Sequence, residues 1–231
     1  MPVSLFVQRA VARATRTAEP FLCVAFPMRL IDKTNVLPRL ATLPRVALEL
    51  GCGSTKRDSG AIGVDAMDLP GVDLVGDVFD VLSSLPAGSV DAIDSYHFVE
   101  HVDDLPRLMQ ECARVLKGEA TLTIVVPHFS NPYFYSDYTH RRFFGLYTFC
   151  YFATHSPFRR QVPLYGVEPQ FRIDDVQLGF KSTRPFYVRH AIKRVQGALF
   201  NSSRWLQEWY EENACWWCPC YEVRYALRRI A

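Results

Sequence analysis

The densest chemistry in this chain lies in Pro127-His-Phe-Ser-Asn-Pro-Tyr-Phe-Tyr-Ser-Asp-Tyr-Thr-His-Arg-Arg-Phe-Phe144. Asp137 and His140 stand three residues apart, so on one helical turn they are neighbours. A carboxylate hydrogen-bonded to an imidazole fixes its tautomer and raises its basicity. That pairing suits proton removal from a hydroxyl, whose own pKa lies far above neutrality. The expectation is His140 as general base, Asp137 as its orienter and His128 as the reserve base. A structural reading, in which both side chains only close the loop by hydrogen bonds, stays open beside it. Tyr133, Tyr138 and Arg141, among further rings, suit a sugar platform or an apolar pocket.

Two other clusters carry possible chemistry. His97-Phe-Val-Glu-His101 has the His-x-x-Glu-His spacing of one zinc-protease class. That class needs the segment on a helix, and here it directly follows a strand pattern. No third ligand stands nearby, so no resident metal is expected, although Asp137 with a neighbouring Glu or His could hold a divalent ion. Cys215-Trp-Trp-Cys-Pro-Cys220 contains a Cys-x-x-Cys, but no second pair completes a zinc site. Trp216 and Trp217 are candidates for a dimer contact or a membrane surface.

These groups need a scaffold, and Val46-Ala-Leu-Glu-Leu-Gly-Cys-Gly-Ser54 supplies its organising stretch. It reads as a buried strand running into a glycine turn. Glycine accepts positive φ and lets a ligand approach without a Cβ in the way. Glu49 places a carboxylate at the strand's carboxyl end, where ligands sit in open parallel sheets. Ala61-Ile-Gly-Val-Asp65 is a second short strand ending in an acid that can accept from a ribose diol. A dinucleotide-binding sheet of the dehydrogenase kind is disfavoured, because Lys56 stands where Gly-x-Gly-x-x-Gly needs its third glycine.

Taken in order, Glu49-Leu-Gly-Cys-Gly53, Gly63-Val-Asp65, Gly76-Asp77 and Asp91-Ala-Ile-Asp-Ser-Tyr-His97 resemble the cofactor motifs of class I S-adenosylmethionine-dependent methyltransferases. The resemblance covers residues 45–128 and implies a Rossmann-like α/β fold. It implies a mostly parallel sheet with a C-terminal antiparallel strand and helices on both faces. It implies that Asp65 holds the ribose hydroxyls, that Asp77 accepts from the adenine amine, and that the Val78 N–H meets a ring nitrogen. Glu49, Gly51, Cys52, Gly53, Tyr96 and His97 complete the implied cofactor contacts, while His101 faces the substrate cleft. Lys56 or Arg57 is a candidate partner for the cofactor carboxylate. The Asp-x-Thr-His-Arg-Arg-Phe-Phe run is similar to one in methyltransferases often encoded with glycan-assembly genes, with Tyr138 in place of a proline. Methylmannose-polysaccharide methyltransferases are one such group. The implied reaction is O-methylation of a sugar, oligosaccharide or polysaccharide precursor. A natural-product or small-acid methyltransferase is the alternative enzyme, and a cofactor-binding subunit supporting a catalytic partner is the non-enzyme alternative.

The remaining features set bounds. At 231 residues the chain can form one domain. The expected parts are an N-terminal cap over 1–45, a cofactor core over 46–128, a substrate cap over 129–170 and a C-terminal part over 171–231. A net charge of +2 gives no basic footprint for nucleic acid. Seven scattered cysteines suit a reducing, cytoplasmic setting. No apolar run reaches the ~18–20 residues that span a bilayer. A homodimer is compatible with the sequence. Arg9, Arg13 and Arg16 overlap with transit-peptide composition, but Val3, Phe6, Val7, Ala10 and Val11 read better as one face of an amphipathic helix. Strands are predicted at 46–50, 61–65, 72–76, 90–96 and 120–126, with further candidates at 177–181 and 221–228. A helix capped by Asp103 or Asp104 is predicted to end at Gly118, and one or two helices over 188–213. The ten residues between the first two strands leave room for a turn or two, not a full crossover helix.

Overall fold

The computed structural model describes residues 30–163, 165–182 and 185–231. The amphipathic segment predicted at 3–11 and the apolar run at 21–26 lie outside the described residues.

Short aliphatic runs ending in polar turns become the strands of one sheet. In chain order these are β1 (Ile31–Asp32), β2 (Ala47–Leu50), β3 (Ile62–Asp65), β4 (Leu74–Val75) and β5 (Val90–Tyr96), followed by β6 (Leu116–Pro127), β7 (Phe171–Gly179) and β8 (Glu222–Arg229). Their spatial order is β1-β4-β3-β2-β5-β6-β8-β7. β4, β3, β2, β5 and β6 run parallel. β8 inserts antiparallel between β6 and β7, as its period-two pattern requires. All four residues of β2 are buried, the signature of a central strand covered on both faces. The sheet is therefore the Rossmann-like, mostly parallel one predicted. β1, a two-residue strand antiparallel to β4 at the far edge, was not.

Among the described residues four α-helices accompany the strands: α1 (Val78–Ser84), α2 (Leu105–Val115), α3 (Tyr187–Phe200) and α4 (Arg204–Asn213). Asp104 caps α2 by accepting from the Arg107 N–H at 3.0 Å. Leu105, Leu108, Met109, Cys112 and Val115 form its buried stripe. The helix does not run to Gly118. Leu116 already pairs with Val90 in β6, and the next register pair is Ala92 with Thr121, so the chain bulges between them. Glu119 takes a φ of +62° within that bulge.

No helix bridges β2 and β3; residues 51–61 form a run of turns. One apolar cluster extends from Val36 through the strands and the rings of Phe144, Phe149, Phe158, Tyr210 and Tyr225 to Leu227. Segment 129–170 is thus tied into the same core as the sheet. Its chain touches the sheet directly through bridges from His128 to Phe144 and from Ala153 to Phe171.

Candidate active site

The carboxyl ends of β2, β3, β4 and β5 surround a cleft of ≈ 180 Å³. Gly51, Asp65, Asp77, Val78, Phe98 and His101 line it. A larger concavity of ≈ 650 Å³ lies against α4 among Trp205, Glu208 and Trp209 and shares no lining residue with this cleft. The smaller one is where the charged strand tips converge, and chemistry rather than size identifies it.

Gly51 turns the chain at the tip of β2 with φ +67°. A Cβ there would lie 2.4 Å from the Phe98 Cβ, so the ring of Phe98 seats where only glycine leaves room. The Asp65 carboxylate accepts from the Gly53 N–H at 3.0 Å and the Met67 N–H at 2.9 Å. A carboxylate has about four acceptor positions, so two remain for a diol. Asp77 is the N-cap of α1, with Oδ1 accepting from the Phe79 N–H at 2.8 Å. That leaves Oδ2 as an acceptor beside the Val78 N–H, one of the orphan donors at a helix start. An acceptor next to a donor matches the amine and ring-nitrogen edge of adenine. The residues present therefore fit S-adenosylmethionine.

Several predicted contacts sit behind this wall. Glu49 is buried, and its carboxylate accepts from the backbone N–H groups of Arg57 and Asp58 at 2.9 and 3.3 Å. It anchors the 53–60 loop, in place of the long helix that residues 51–61 lack. The Cys52 thiol is buried against the Gly71 carbonyl, and its pKa is pushed up to about 11, chiefly by burial. Lys56 pairs with Asp73 at 2.7 Å and is not free for a cofactor carboxylate, whereas Arg57 stacks over the Tyr96 ring at 3.8 Å, a contact that leaves its N–H donors available.

His97 follows β5 with φ +54°, an unusual conformation for a residue with a side chain. Its ring lies between Glu100, 3.5 Å from Nδ1, and Glu222, 3.2 Å from Nε2. Hydrogen bonding to Glu100 first and to Glu222 second lifts its pKa to about 9. Burial would raise the Glu222 carboxyl, but hydrogen bonds from His97 and Lys181 bring it below its ordinary value. His97 is an imidazolium at neutral pH and cannot serve as a base.

Two further histidines have tautomers fixed by their partners. His140 Nδ1 lies 2.9 Å from the Phe134 carbonyl oxygen, which can only accept, so Nδ1 carries the proton and Nε2 the lone pair. The Thr139 hydroxyl donates to Asp137 Oδ1, so its oxygen accepts from His101 Nδ1 at 2.9 Å. His101 therefore also keeps an Nε2 lone pair. The rings of His101 and His140 are 5.0 Å apart. Glu100 is buried between these elements, with Oε2 lacking a hydrogen-bond partner. Glu100, His101 and His140 each bring one potential ligand atom within 4.8 Å of the others.

This geometry corrects two expectations, the roles of Asp137 and of His128. Asp137 does not orient His140: its Oδ2 lies 3.6 Å from Nε2, the nitrogen that must stay free, and the Phe134 carbonyl holds Nδ1. The single helical turn ends at Ser136, leaving Asp137 extended and tied to Thr139, whose hydroxyl and N–H hold its carboxyl below the usual range. His128 is fully buried, with Nδ1 on the Ser130 hydroxyl and Nε2 on Glu211, so it has no free nitrogen for a substrate. The His-x-x-Glu-His segment is no zinc helix, since Val99–His101 is one 3-10 turn and His97 is taken by carboxylates.

Tyr133 and Tyr138 are exposed. The Arg141 guanidinium reaches the exposed Asp103 at 3.6 Å, while its N–H donates to the Glu100 carbonyl at 2.7 Å. Arg142 donates to the Val102 and Asp103 carbonyls. Residues 139–142 are thereby stitched onto 100–103, the rim of the cleft. Sequence reading missed Phe98 as a cleft wall and Thr139 as the link between loops. The small residue at position 51 is the one local signal that a ring packs there.

Residues 55–124 match a family model described as a methyltransferase domain. The matched stretch runs from the loop after β2 into β6 and so takes in the tips of β3, β4 and β5 that line the cleft. Among solved structures, an S-adenosylmethionine-dependent methyltransferase from Archaeoglobus fulgidus is 20% identical, with a TM-score of 0.51 over 84% of this chain and 93% of that one. A putative sarcosine dimethylglycine methyltransferase from Galdieria sulphuraria is 16% identical, with a TM-score of 0.49 over 84% and 82%. At these identities the first likeness is one of fold. No curated protein matches the chain. The cleft thus lies at four strand tips, with the 139–142 segment closing one side.

Proposed function

We propose that the enzyme methylates a hydroxyl of a sugar or of an oligosaccharide or polysaccharide precursor, with His140 as general base. One observation carries the reading. His140 donates Nδ1–H to the Phe134 carbonyl and keeps an Nε2 lone pair, beside a histidine that lines the cofactor cleft.

The bound cofactor supplies an electrophilic methyl carbon on a sulfonium. Asp65, Asp77 and the Val78 N–H hold its adenosine, and Gly51 lets the backbone lie close. His140 Nε2 takes the proton of the acceptor hydroxyl, and the Phe134 carbonyl stabilises the imidazolium that results. Exposed rings at Tyr133, Tyr135 and Phe143 offer apolar faces that a pyranose can stack on. Holding both reactants in line contributes up to ~7–11 kcal/mol in favourable intramolecular systems.

The test is a screen of methyl acceptors with labelled cofactor, beginning with mannosides and other glycans. A glycan acceptor methylated on oxygen, with turnover lost and cofactor affinity kept in His140→Ala, supports the proposal. Transfer only to carboxylates or amines, or full activity in His140→Ala, refutes it.

A further inference from the structure

Helix α3 is mounted the wrong way round for a soluble surface helix. An ordinary one packs its apolar stripe inward. At 3.6 residues per turn, Tyr187, Val188, Ile192, Val195 and Leu199 of α3 fall within an arc of about 140°. All five are exposed, by 52 to 76%. Ala191 and Ala198, on the same arc, are exposed too. The opposite side makes the protein contacts. Lys193 Nζ donates to the Pro219 carbonyl at 2.6 Å, Gly197 faces Phe180, and Phe200 packs on Tyr210.

The charges flanking this arc have one sign. Arg189 and Arg194 border it, and α3 carries no acidic residue. Trp217, 88% exposed, shares a groove of ≈ 360 Å³ with Ile192 and Lys193. The same groove reaches Tyr133 and Tyr221, and the Tyr221 ring lies 6.3 Å from His97. An exposed apolar arc bordered by cations, with a tryptophan at the rim, has the composition of a helix that lies in a membrane interface. The helix has 14 residues, and among the described residues none is long and apolar enough to cross a bilayer.

We propose that α3 seats the enzyme on an anionic lipid bilayer, with Trp217 beside it. The charge pattern favours lipid over a second copy of this chain. A two-fold contact through this face would bring its cations against themselves, whereas anionic headgroups neutralise them. Seated this way, the groove beside Trp217 would offer an entry for an acceptor carried on a lipid. That role rests on the function proposed above; the binding itself does not, and is measured without turnover.

The experiment is vesicle flotation of the full-length protein, using phosphatidylcholine with and without phosphatidylglycerol at low and high salt. Ile192 and Val195 are exposed, so Ile192→Glu/Val195→Glu should leave the melting temperature and the affinity for S-adenosylhomocysteine unchanged. The expected result is binding to the anionic vesicles that weakens with salt and falls at least tenfold in the double variant. Charge reversal of Arg189 and Arg194 should remove the preference for anionic lipid. No flotation at low salt overturns the proposal, as does flotation that the α3 variants leave intact. A dimer in sedimentation velocity that the double variant dissociates, without vesicle binding, would assign the face to a second copy instead.

Discussion

The charge on His97 can be tested directly, and the choice of His140 depends on it. Its pKa rises on folding from 6.5 to about 9. At 1.36 kcal/mol per unit, that gap corresponds to at most about 3.4 kcal/mol. The side chain is 34% exposed, so solvent screens the pairs, and about 1–2 kcal/mol is the expected contribution. The sign follows from linkage: a group whose pKa is raised on folding stabilises fully below its unfolded value and loses that effect as pH climbs through its folded value. The loss should therefore run from pH 6.5 to about 9. Buried thiols at Cys52 and Cys112, also pushed upward, erode stability at the alkaline end, so the comparison must be with a variant. Urea unfolding at pH 6 and pH 9 should show wild type losing about 1–2 kcal/mol more than His97→Gln. Ring-carbon NMR titration of wild type and Glu222→Gln should show the His97 pKa falling toward 6.5 when that carboxylate is neutralised. A wild-type His97 that titrates near 6.5 would refute the reasoning, because a neutral His97 at the cleft rim would compete as the base.

Three further outcomes follow from the same geometry. Gly51→Ala must hold φ +67° and displace Phe98, which should cost about 1–3 kcal/mol in a melting experiment and weaken S-adenosylhomocysteine binding in calorimetry. Thr139→Val removes the hydroxyl between Asp137 and His101 while keeping shape; turnover should fall about tenfold, the ~1.4 kcal/mol of one hydrogen bond, with cofactor affinity unchanged and Thr139→Ser restoring activity. On the proposed reading, in which His140 is the base, chelation should leave turnover intact; loss of activity restored by a divalent ion would reassign Glu100, His101 and His140 as its ligands.

The scaffold was legible because its signals are local. An aliphatic run, a glycine or a carboxylate at its end, and the next run within reach define β2, β3 and β5 without knowledge of their partners. The short loop after Gly51 follows from counting residues. What was not legible depends on contacts across the chain. Whether His97 or His101 belongs to the cleft is decided by Glu222, on a strand 125 residues later. The three-residue spacing of Asp137 and His140 implied a helical neighbour pair, but the turn stops at Ser136, before either residue, so that rule does not apply. The end of α2 went wrong for a related reason: strand pairing with Val90 took the chain before Gly118 could cap it. One or two helices were predicted over 188–213, but local sequence could not say that α3 turns an apolar arc outward.

The central claim is that the tips of β2, β3, β4 and β5 hold the adenosyl group and aim its sulfur toward His101 and His140. The most direct measurement is a crystal structure of the enzyme soaked with S-adenosylhomocysteine. The account predicts adenine on Asp77 and Val78, the ribose on Asp65, and the sulfur turned toward the histidine pair. Density for the ligand in the concavity beside α4, or its sulfur directed away from His140, would contradict it.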